Sequence, residues 1–177
     1  EYSVLEINSL ANFKEKKIVV AKNLIEQITK DCEIKNYKIL KSFKGSEFKG
    51  VTCYHPFLNL DYDFEVPMLD AQFVNLEQGT GIVHCAPSHG PDDFNLCLKN
   101  NIPSKYTVDN SGLYTNEIPF FTNTHIFKAD DLVIEKLKEQ KKLLKDDKLN
   151  HSYPHSWRSK APLIYRATPQ WFISMEK

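Results

Sequence analysis

The 177-residue sequence lacks the features that mark several classes of protein. No apolar run approaches the roughly 20 residues that a membrane-spanning helix needs, so we expect no membrane segment. The 23 basic and 23 acidic residues cancel, which argues against a protein that binds nucleic acid mainly through bulk charge. None of the four cysteines forms a CxxC pair. Their spacing resembles no zinc knuckle or disulfide framework and favours reduced thiols.

Phosphate-binding loops and targeting signals are also missing. The sequence contains neither GxxxxGK(S/T) nor GxGxxG, the loops that cradle nucleotide phosphates. It has no signal peptide and no initiator methionine, so we expect the chain to start inside a longer protein in the cytoplasm or an organelle.

The sequence does have the composition of a globular fold, with 41% hydrophobic residues. Its length suits one domain with its own core, which we place over residues 1–177. Hydrophobic spacing predicts three helices, over residues 21–30, 91–100 and 127–144. Short alternating or β-branched runs predict strands over residues 2–7, 17–20, 37–43, 48–54, 66–68, 71–76, 82–85, 148–153 and 163–168. This mixture predicts an α+β fold, most simply a β-barrel-like core with peripheral helices.

Polar side chains concentrate in residues 79–94, which read GTGIVHCAPSHGPDDF. His84 ends a predicted strand, His89 lies in a Pro-containing loop, and Asp92 and Asp93 begin a predicted helix. A carboxylate in a cleft can bind an ammonium group through a charge-assisted hydrogen bond worth about 1.5–3 kcal/mol. An imidazole can contact a hydroxyl or transfer a proton. The alternative is that the two acids only stabilise the helix start, by about 0.3–1 kcal/mol each.

Other interpretations of this motif remain open. His84, His89 and one aspartate could form a facial metal triad, although no regular element sets their geometry. Cys85 points away from His84 on a strand, which favours a buried small hydrophobe over a nucleophile. The glycines at 79 and 81 suit either a tight turn or a close backbone approach to a ligand. Residues 151–166 form a basic and aromatic stretch that could contact nucleic acid or form an exposed strand.

The motif GTGIVHCAPSHGPDDF resembles the signature of the editing domain of isoleucyl-tRNA synthetase, which is inserted in the core of that class I enzyme. Residues 153–176, YPHSWRSKAPLIYRATPQWFISME, resemble the segment that returns to the catalytic core. KGSEFKGVTCYHPF, GLYTN and IFKADD also fall in the expected order. His84 followed by APSHGPDD favours the isoleucyl type over the valyl and leucyl types. The run RATPQW resembles the bacterial or organellar form.

This resemblance implies hydrolytic proofreading that removes valine from tRNA(Ile). A synthetic site rejects valine poorly because one methylene is worth only about 1–3 kcal/mol, a limit for which isoleucyl-tRNA synthetase is the standard example. The implied partners are the 3′ end of tRNA(Ile), valyl-tRNA(Ile), valyl-adenylate and the rest of the synthetase. No cofactor is implied for this domain, whereas the full enzyme uses ATP and magnesium.

The resemblance also implies roles for individual residues. Asp93 matches the aspartate that anchors the α-amino group, and His84 matches the histidine that lines the amino-acid pocket. Asp92 is the neighbouring acid. The remaining predicted substrate-binding residues form the turn and the pocket wall: Gly81, Ala86, Pro87, Ser88, His89 and Gly90. A Thr-rich peptide of the TTPWT type, the family's other pocket wall, is not in this sequence. We therefore expect weak or no deacylation by this chain alone, with a non-catalytic tRNA-binding or structural insert as the alternative.

Overall fold

A computed structural model describes residues 1–8, 10–77, 79–148 and 150–175. The chain divides into two compact units. The first consists of Glu1–His84 and Lys128–Leu149, and the second of Cys85–Phe127 and Asn150–Lys177. Five strands and three α-helices fall within the described residues: β1 Tyr2–Ile7, β2 Lys17–Ala21, α1 Ile25–Asp31, β3 Tyr37–Phe43, β4 Thr52–Tyr54, β5 Glu65–Pro67, α2 Pro91–Lys99 and α3 Ala129–Glu139.

The first unit is built on an antiparallel sheet with the order β2-β1-β3. Strand β1 is central, and its alternation puts Ser3, Leu5 and Ile7 on the buried face. Tyr2 at the start of β1 pairs in register with Ala21 of β2 and with Phe43 of β3. The predicted strands over residues 2–7, 17–20 and 37–43 are therefore confirmed.

A helix covers the buried face of this sheet. A 3-10 turn over Lys22–Leu24 leads into α1, which buries Ile25, Ile28 and Thr29. The Thr29 hydroxyl donates to the Ile25 carbonyl at 2.8 Å, so this buried polar group is satisfied. Among the described residues, the core cluster of this sheet and helix contains nine buried residues, namely Leu5, Ile7, Ile18, Val20, Ala21, Leu24, Ile25, Ile28 and Ile34.

Strand β3 is not half-buried, although its alternating pattern is typical of a half-buried strand. It lies at the sheet edge, and its residues are exposed except for the partly buried Phe43. Lys38 and Lys41 interrupt the apolar positions on this edge. Charged side chains at a sheet edge discourage pairing with another chain. The sequence of β3 therefore suits an exposed edge strand.

The last helix is shorter than its pattern predicts. Helix α3 ends at Glu139 rather than near residue 144. Lys141 adopts a left-handed φ of 54°, and Lys142 N–H reaches back to the Leu137 carbonyl at 2.9 Å. This is a Schellman ending with lysine where glycine is usual, so the sequence carried no stop signal. Beyond it, Leu143 N–H donates to the Asn12 carbonyl at 3.1 Å, a bond between the two segments of the first unit.

Three predictions between β3 and the motif have different outcomes. The strand predicted over 66–68 is confirmed as β5. The predicted strand over 48–54 is present only as Thr52–Tyr54, after a 3-10 turn over Gly45–Phe48, and it pairs with β5. The predicted strand over 71–76 is wrong. Residues 72–73 form a turn, and the Asn75 side-chain oxygen accepts the Glu77 N–H at 3.2 Å. This local side-chain bond replaces the backbone pairing that a strand would need.

The predicted strand over 82–85 is also wrong. The Thr80 hydroxyl donates to the Ile82 carbonyl at 3.1 Å and accepts from the Ile82 N–H at 3.3 Å. These local bonds take the groups that a strand would offer to a neighbour. Val83 is 53% exposed.

The second unit contains helix α2 and long loops. Helix α2 confirms the prediction over 91–100 and ends through Asn101, whose φ of 58° is left-handed. Val108 and Phe121 are buried, and the loops meet through isolated backbone pairs such as Val108 with Tyr114. The predicted strand over 163–168 is wrong. Residues in this range form single backbone hydrogen bonds with loop residues and do not pair with a neighbouring strand. Residues 148 and 150–153 form no strand, while position 149 lies outside the described residues.

The chain is therefore of mixed α and β structure, with two separate small antiparallel sheets in the described ranges. Those ranges contain no helix that is both long enough and apolar enough to cross a membrane.

Candidate functional site

The motif over residues 79–94 is shared between the two units. Gly81 and His84 belong to the first unit. The other predicted site residues belong to the second unit: Ala86, Pro87, Ser88, His89, Gly90, Asp92 and Asp93. Each half of the motif has its own set of contacts.

The first half begins with a tight turn at Gly79-Thr80-Gly81. Both glycines have left-handed φ values, 65° at Gly79 and 75° at Gly81. A Cβ atom at Gly81 would lie 2.6 Å from the Cβ of Ala21, so no larger residue fits without movement. Ala21 N–H donates to the Thr80 carbonyl at 2.8 Å, and the Tyr2 hydroxyl donates to the Gly81 carbonyl at the same distance. The prediction of a tight turn is confirmed.

His84 follows this turn on exposed backbone, and its electrostatic neighbour is His55. The His55 ring stacks on Tyr62 with centroids 4.6 Å apart, and it also contacts Phe57 and Phe64. Its Nδ1 accepts the Phe57 N–H at 3.1 Å, which puts the proton of the neutral ring on Nε2. Burial, and then the proximity of His84, lowers the pKa of His55. His55 is therefore held neutral beside an exposed His84.

Sequence reasoning missed His55. The run His55-Pro56-Phe57 indicates only the break of a strand, because proline interrupts the pattern there. The aromatic residues at 57, 62 and 64 were the available signal, since they offered rings that could pack around an imidazole.

Asp93 is the most constrained acid in the second half. Gly90 precedes helix α2, Pro91 is its first residue, and no side chain caps the helix. Asp93, in the third helical position, is partly buried, and its Oδ2 accepts the Ala86 N–H at 2.9 Å. The carboxylate therefore connects the helix to the loop before it. A carboxylate has about four acceptor sites, so this bond leaves capacity for a ligand.

Asp92 is in a different environment although it is the adjacent residue. Its side chain is exposed in the first turn of α2. That position suits an acid which stabilises the positive end of the helix dipole. The structure thus distinguishes the two acids by burial and by contact.

The charge of Asp93 also acts on two thiols. Burial raises the pKa of Cys85, and the negative charge of Asp93 raises it further. Burial and Asp93 raise the pKa of Cys97 in the same way. Because the thiolate is the reactive form, both cysteines are poor nucleophiles, in agreement with the interpretation of Cys85 as a small hydrophobe.

Ser88 and His89 fix the loop between Ala86 and Gly90. Ser88 is buried, and its hydroxyl donates to the Lys105 carbonyl at 2.6 Å while it pairs with the Ser104 hydroxyl at 2.9 Å. His89 Nδ1 lies 2.9 Å from the Tyr165 carbonyl, and Nε2 lies 2.8 Å from the Thr107 hydroxyl. The carbonyl can only accept, so Nδ1 carries a proton, and in the neutral ring Nε2 then accepts from the Thr107 hydroxyl.

The possibility of a metal site depends on a cluster of suitable ligands. Within residues 1–8, 10–77, 79–148 and 150–175, no three His, Cys, Asp or Glu side chains are grouped so that they could hold a metal ion. His89 would have to release a hydrogen bond to bind one.

The basic and aromatic stretch near the end of the chain divides into two parts. Trp157 is 75% exposed, and the Arg158 guanidinium lies over its ring at 4.8 Å. Arg166 instead donates to the Val108 carbonyl and, at 2.6 Å, to the Asn110 side chain. Arg166 therefore has a role in holding the loops together.

Known proteins are similar to this chain over nearly its whole length. A family model described as "Leucyl-tRNA synthetase, editing domain" matches residues 3–147. Isoleucine–tRNA ligase of Pelagibacter ubique is 65% identical over 99% of the chain, which spans 19% of that relative. The isoleucine–tRNA ligases of Pasteurella multocida and Francisella tularensis are 42% and 44% identical over 95% and 96% of the chain. The chain spans about a fifth of the length of these curated relatives.

Proposed function

Because the chain belongs to the editing-domain family of the class I aminoacyl-tRNA synthetases, we propose that it proofreads for an isoleucyl-tRNA synthetase of the bacterial type. The proposed reaction is hydrolysis of the ester that joins valine to tRNA(Ile). The observation that carries the proposal is Asp93, a partly buried carboxylate fixed by the Ala86 N–H at 2.9 Å.

Asp93 anchors the α-amino group of the misacylated residue in this proposal. An ammonium on a carboxylate forms a charge-assisted hydrogen bond worth about 1.5–3 kcal/mol. The bond from Ala86 sets the direction of the carboxylate before the substrate arrives. Asp92, which is exposed, contributes to the helix start rather than to the ligand.

His84 lines the amino-acid pocket near the terminal ribose and helps to exclude isoleucine. The wall over Ala86–Gly90 keeps its shape through Ser88 and His89, both of which are fully engaged with neighbouring loops. Gly81 completes the substrate-binding set through its backbone.

The hydrolysis itself needs only water and orientation. Water attacks the ester carbonyl carbon, the bond from that carbon to the ribose oxygen breaks, and the ribose oxygen takes a proton. Holding the ester and the water in reacting geometry supplies most of the acceleration. Asp93 is a poor general base while it is paired with an ammonium, and a ribose hydroxyl of the substrate is a candidate for assisting proton transfer.

The proposed partners follow from the same family. They are the 3′ end of tRNA(Ile), valyl-adenylate and the rest of the synthetase, in the cytoplasm or an organelle. The editing step uses no cofactor, and ATP with magnesium belongs to the synthetic site of the full enzyme. The two small sheets are proposed to contribute to a β-barrel-like core.

Deacylation in a synthetase that carries this chain tests the proposal. Valyl-tRNA(Ile) should be hydrolysed at least about tenfold faster than isoleucyl-tRNA(Ile), because the pocket excludes the extra methylene. Equal rates for the two esters would contradict a proofreading site and favour a non-catalytic insert. Loss of activity with a chelator, restored by zinc, would instead favour a metal-dependent hydrolase.

A further inference from the structure

Tyr2 lies at the start of β1 and touches the turn that leads into His84. Its hydroxyl donates to the Gly81 carbonyl at 2.8 Å, across 79 positions of sequence. The bond joins the sheet of the first unit directly to the backbone of a predicted substrate-binding residue.

The Tyr2 ring cannot easily turn away from this bond. Phe48 packs edge-on against it at 5.1 Å, and Phe43 stacks on it at 6.2 Å. Phe43 and Phe48 also contact each other at 5.1 Å, so the three rings form a closed group. A donor whose ring is held by two others loses little rotamer freedom when it forms a hydrogen bond.

The turn is held from a second direction at the same level of the sheet. Ala21, the register partner of Tyr2 on β2, donates its N–H to the Thr80 carbonyl at 2.8 Å. Ala21 also fills the space beside Gly81, where a Cβ atom would approach within 2.6 Å. One pair of residues in the sheet therefore holds the carbonyls of Thr80 and Gly81.

The segment after the turn has little other support. Ile82 bonds locally to Thr80, and Val83 and His84 are exposed. The position and orientation of His84 therefore depend on how the preceding turn is fixed. A shift of about 1 Å at a distant residue can reduce a rate by up to about 100-fold.

We propose that Tyr2 is a positioning residue for editing, because its hydroxyl fixes the Gly81 carbonyl and thereby the turn from which His84 projects. This inference rests on the proposed function. Tyr2 does not touch the reacting atoms and acts through the backbone of the turn.

The matched pair Tyr2→Phe and Ser3→Ala tests this role in a synthetase that carries the chain. Both changes remove one hydroxyl from β1. The Ser3 hydroxyl is buried and pairs with Ser42 of β3 at 2.9 Å, away from the turn. Both variants should lower the unfolding midpoint by similar amounts, since each loses one side-chain hydrogen bond.

Deacylation of valyl-tRNA(Ile) then separates positioning from stability. Tyr2→Phe should lower kcat about tenfold with KM nearly unchanged, because orientation is lost while binding remains. Ser3→Ala should edit like the wild type. Wild-type kcat in Tyr2→Phe, or equal losses in both variants, would overturn the inference.

Asp93→Asn, assayed beside them, separates the role of Tyr2 from that of the proposed ammonium anchor. If Asp93→Asn loses editing and Tyr2→Phe keeps it, only the role of Tyr2 fails. If Asp93→Asn edits normally, only the anchoring role of Asp93 fails. If the unmodified synthetase hydrolyses the valyl and isoleucyl esters at equal rates, the proposed function fails, and the inference that rests on it fails as well.

Discussion

Residues 79–84 and residues 85–93 are neighbours in sequence, yet different kinds of bond hold them. The first segment is fixed through its own backbone carbonyls by Tyr2 and Ala21 of the sheet. The second is fixed through its side chains, with Ser88, His89 and Asp93 all bonded to loops. Substitutions within the first segment should therefore change the ligand site directly, while many in the second should also change stability.

Asp93→Asn should have the largest effect on activity. Asparagine keeps an oxygen that can accept the Ala86 N–H but loses the charge that binds an ammonium. We expect deacylation of valyl-tRNA(Ile) to fall about 100-fold, as the loss of one charge-assisted bond predicts. Single-turnover rates with preformed ester measure this effect.

Asp92→Asn is the matched control for that variant. It removes the same charge from the same helical turn, but from an exposed position. Editing should stay within about twofold of wild type, because only the helix start is weakened. A loss in Asp92→Asn with normal editing in Asp93→Asn would mean that the two acids have exchanged roles.

Ser88→Ala should have the largest effect on stability. It removes the donor to the Lys105 carbonyl and the partner of Ser104 from a buried position. We expect the free energy of unfolding to fall by about 1–3 kcal/mol, measured by urea denaturation. Ser104→Ala removes only one of these two contacts and should cost less. Equal stability of Ser88→Ala and wild type would show that side-chain bonds do not hold this loop.

His84→Ala should change selectivity rather than stability. Removing the imidazole enlarges the pocket, so hydrolysis of isoleucyl-tRNA(Ile) should rise about tenfold, the discrimination that one methylene provides. Val83→Ala, at the adjacent exposed residue, should leave the preference unchanged. If His84→Ala keeps the wild-type ratio of valyl to isoleucyl rates, His84 does not set the size limit.

His55→Phe should have the smallest effect, visible as a change in pH dependence. Burial and His84 lower the pKa of His55 below its ordinary 6.5, so the neutral ring is favoured in the folded state. Its contribution is present above pH 6.5 and is lost as the pH falls through the lowered pKa. Phenylalanine keeps a ring in the aromatic cluster but takes no proton. Urea midpoints should therefore fall less on acidification in His55→Phe than in wild type, and parallel curves would contradict this.

The sheet and helix α2 of this fold were predictable from the sequence, for physical reasons. Strand β1 alternates over a buried face, and Pro91 and Asn101 mark the two ends of α2. The end of α3 was not predictable, because Lys141 takes the left-handed position that glycine usually occupies. The short apolar runs near residues 82 and 163 have the sequence pattern of strands. Their backbone groups instead bond locally or to loop residues, which the sequence pattern does not reveal.

The two halves of the motif also differed in how far sequence could describe them. The conformation of the glycine turn followed from its residues, since Gly79 and Gly81 permit left-handed φ values. The contacts of Ser88 and His89 reach residues 104–107 and 165, and no local pattern encodes such distant partners. The roles of Asp93 and His84 in binding remain predictions that the variants above can test.

The most direct measurement is the structure of a synthetase carrying this chain with a hydrolysis-resistant valyl-adenosine, in which an amide replaces the ester. We predict that the valine ammonium lies within hydrogen-bond distance of the Asp93 carboxylate, with the Ala86 N–H still bonded to Asp93. An ammonium held by Asp92 or by no carboxylate, with Asp93 bonded only to Ala86, would contradict it.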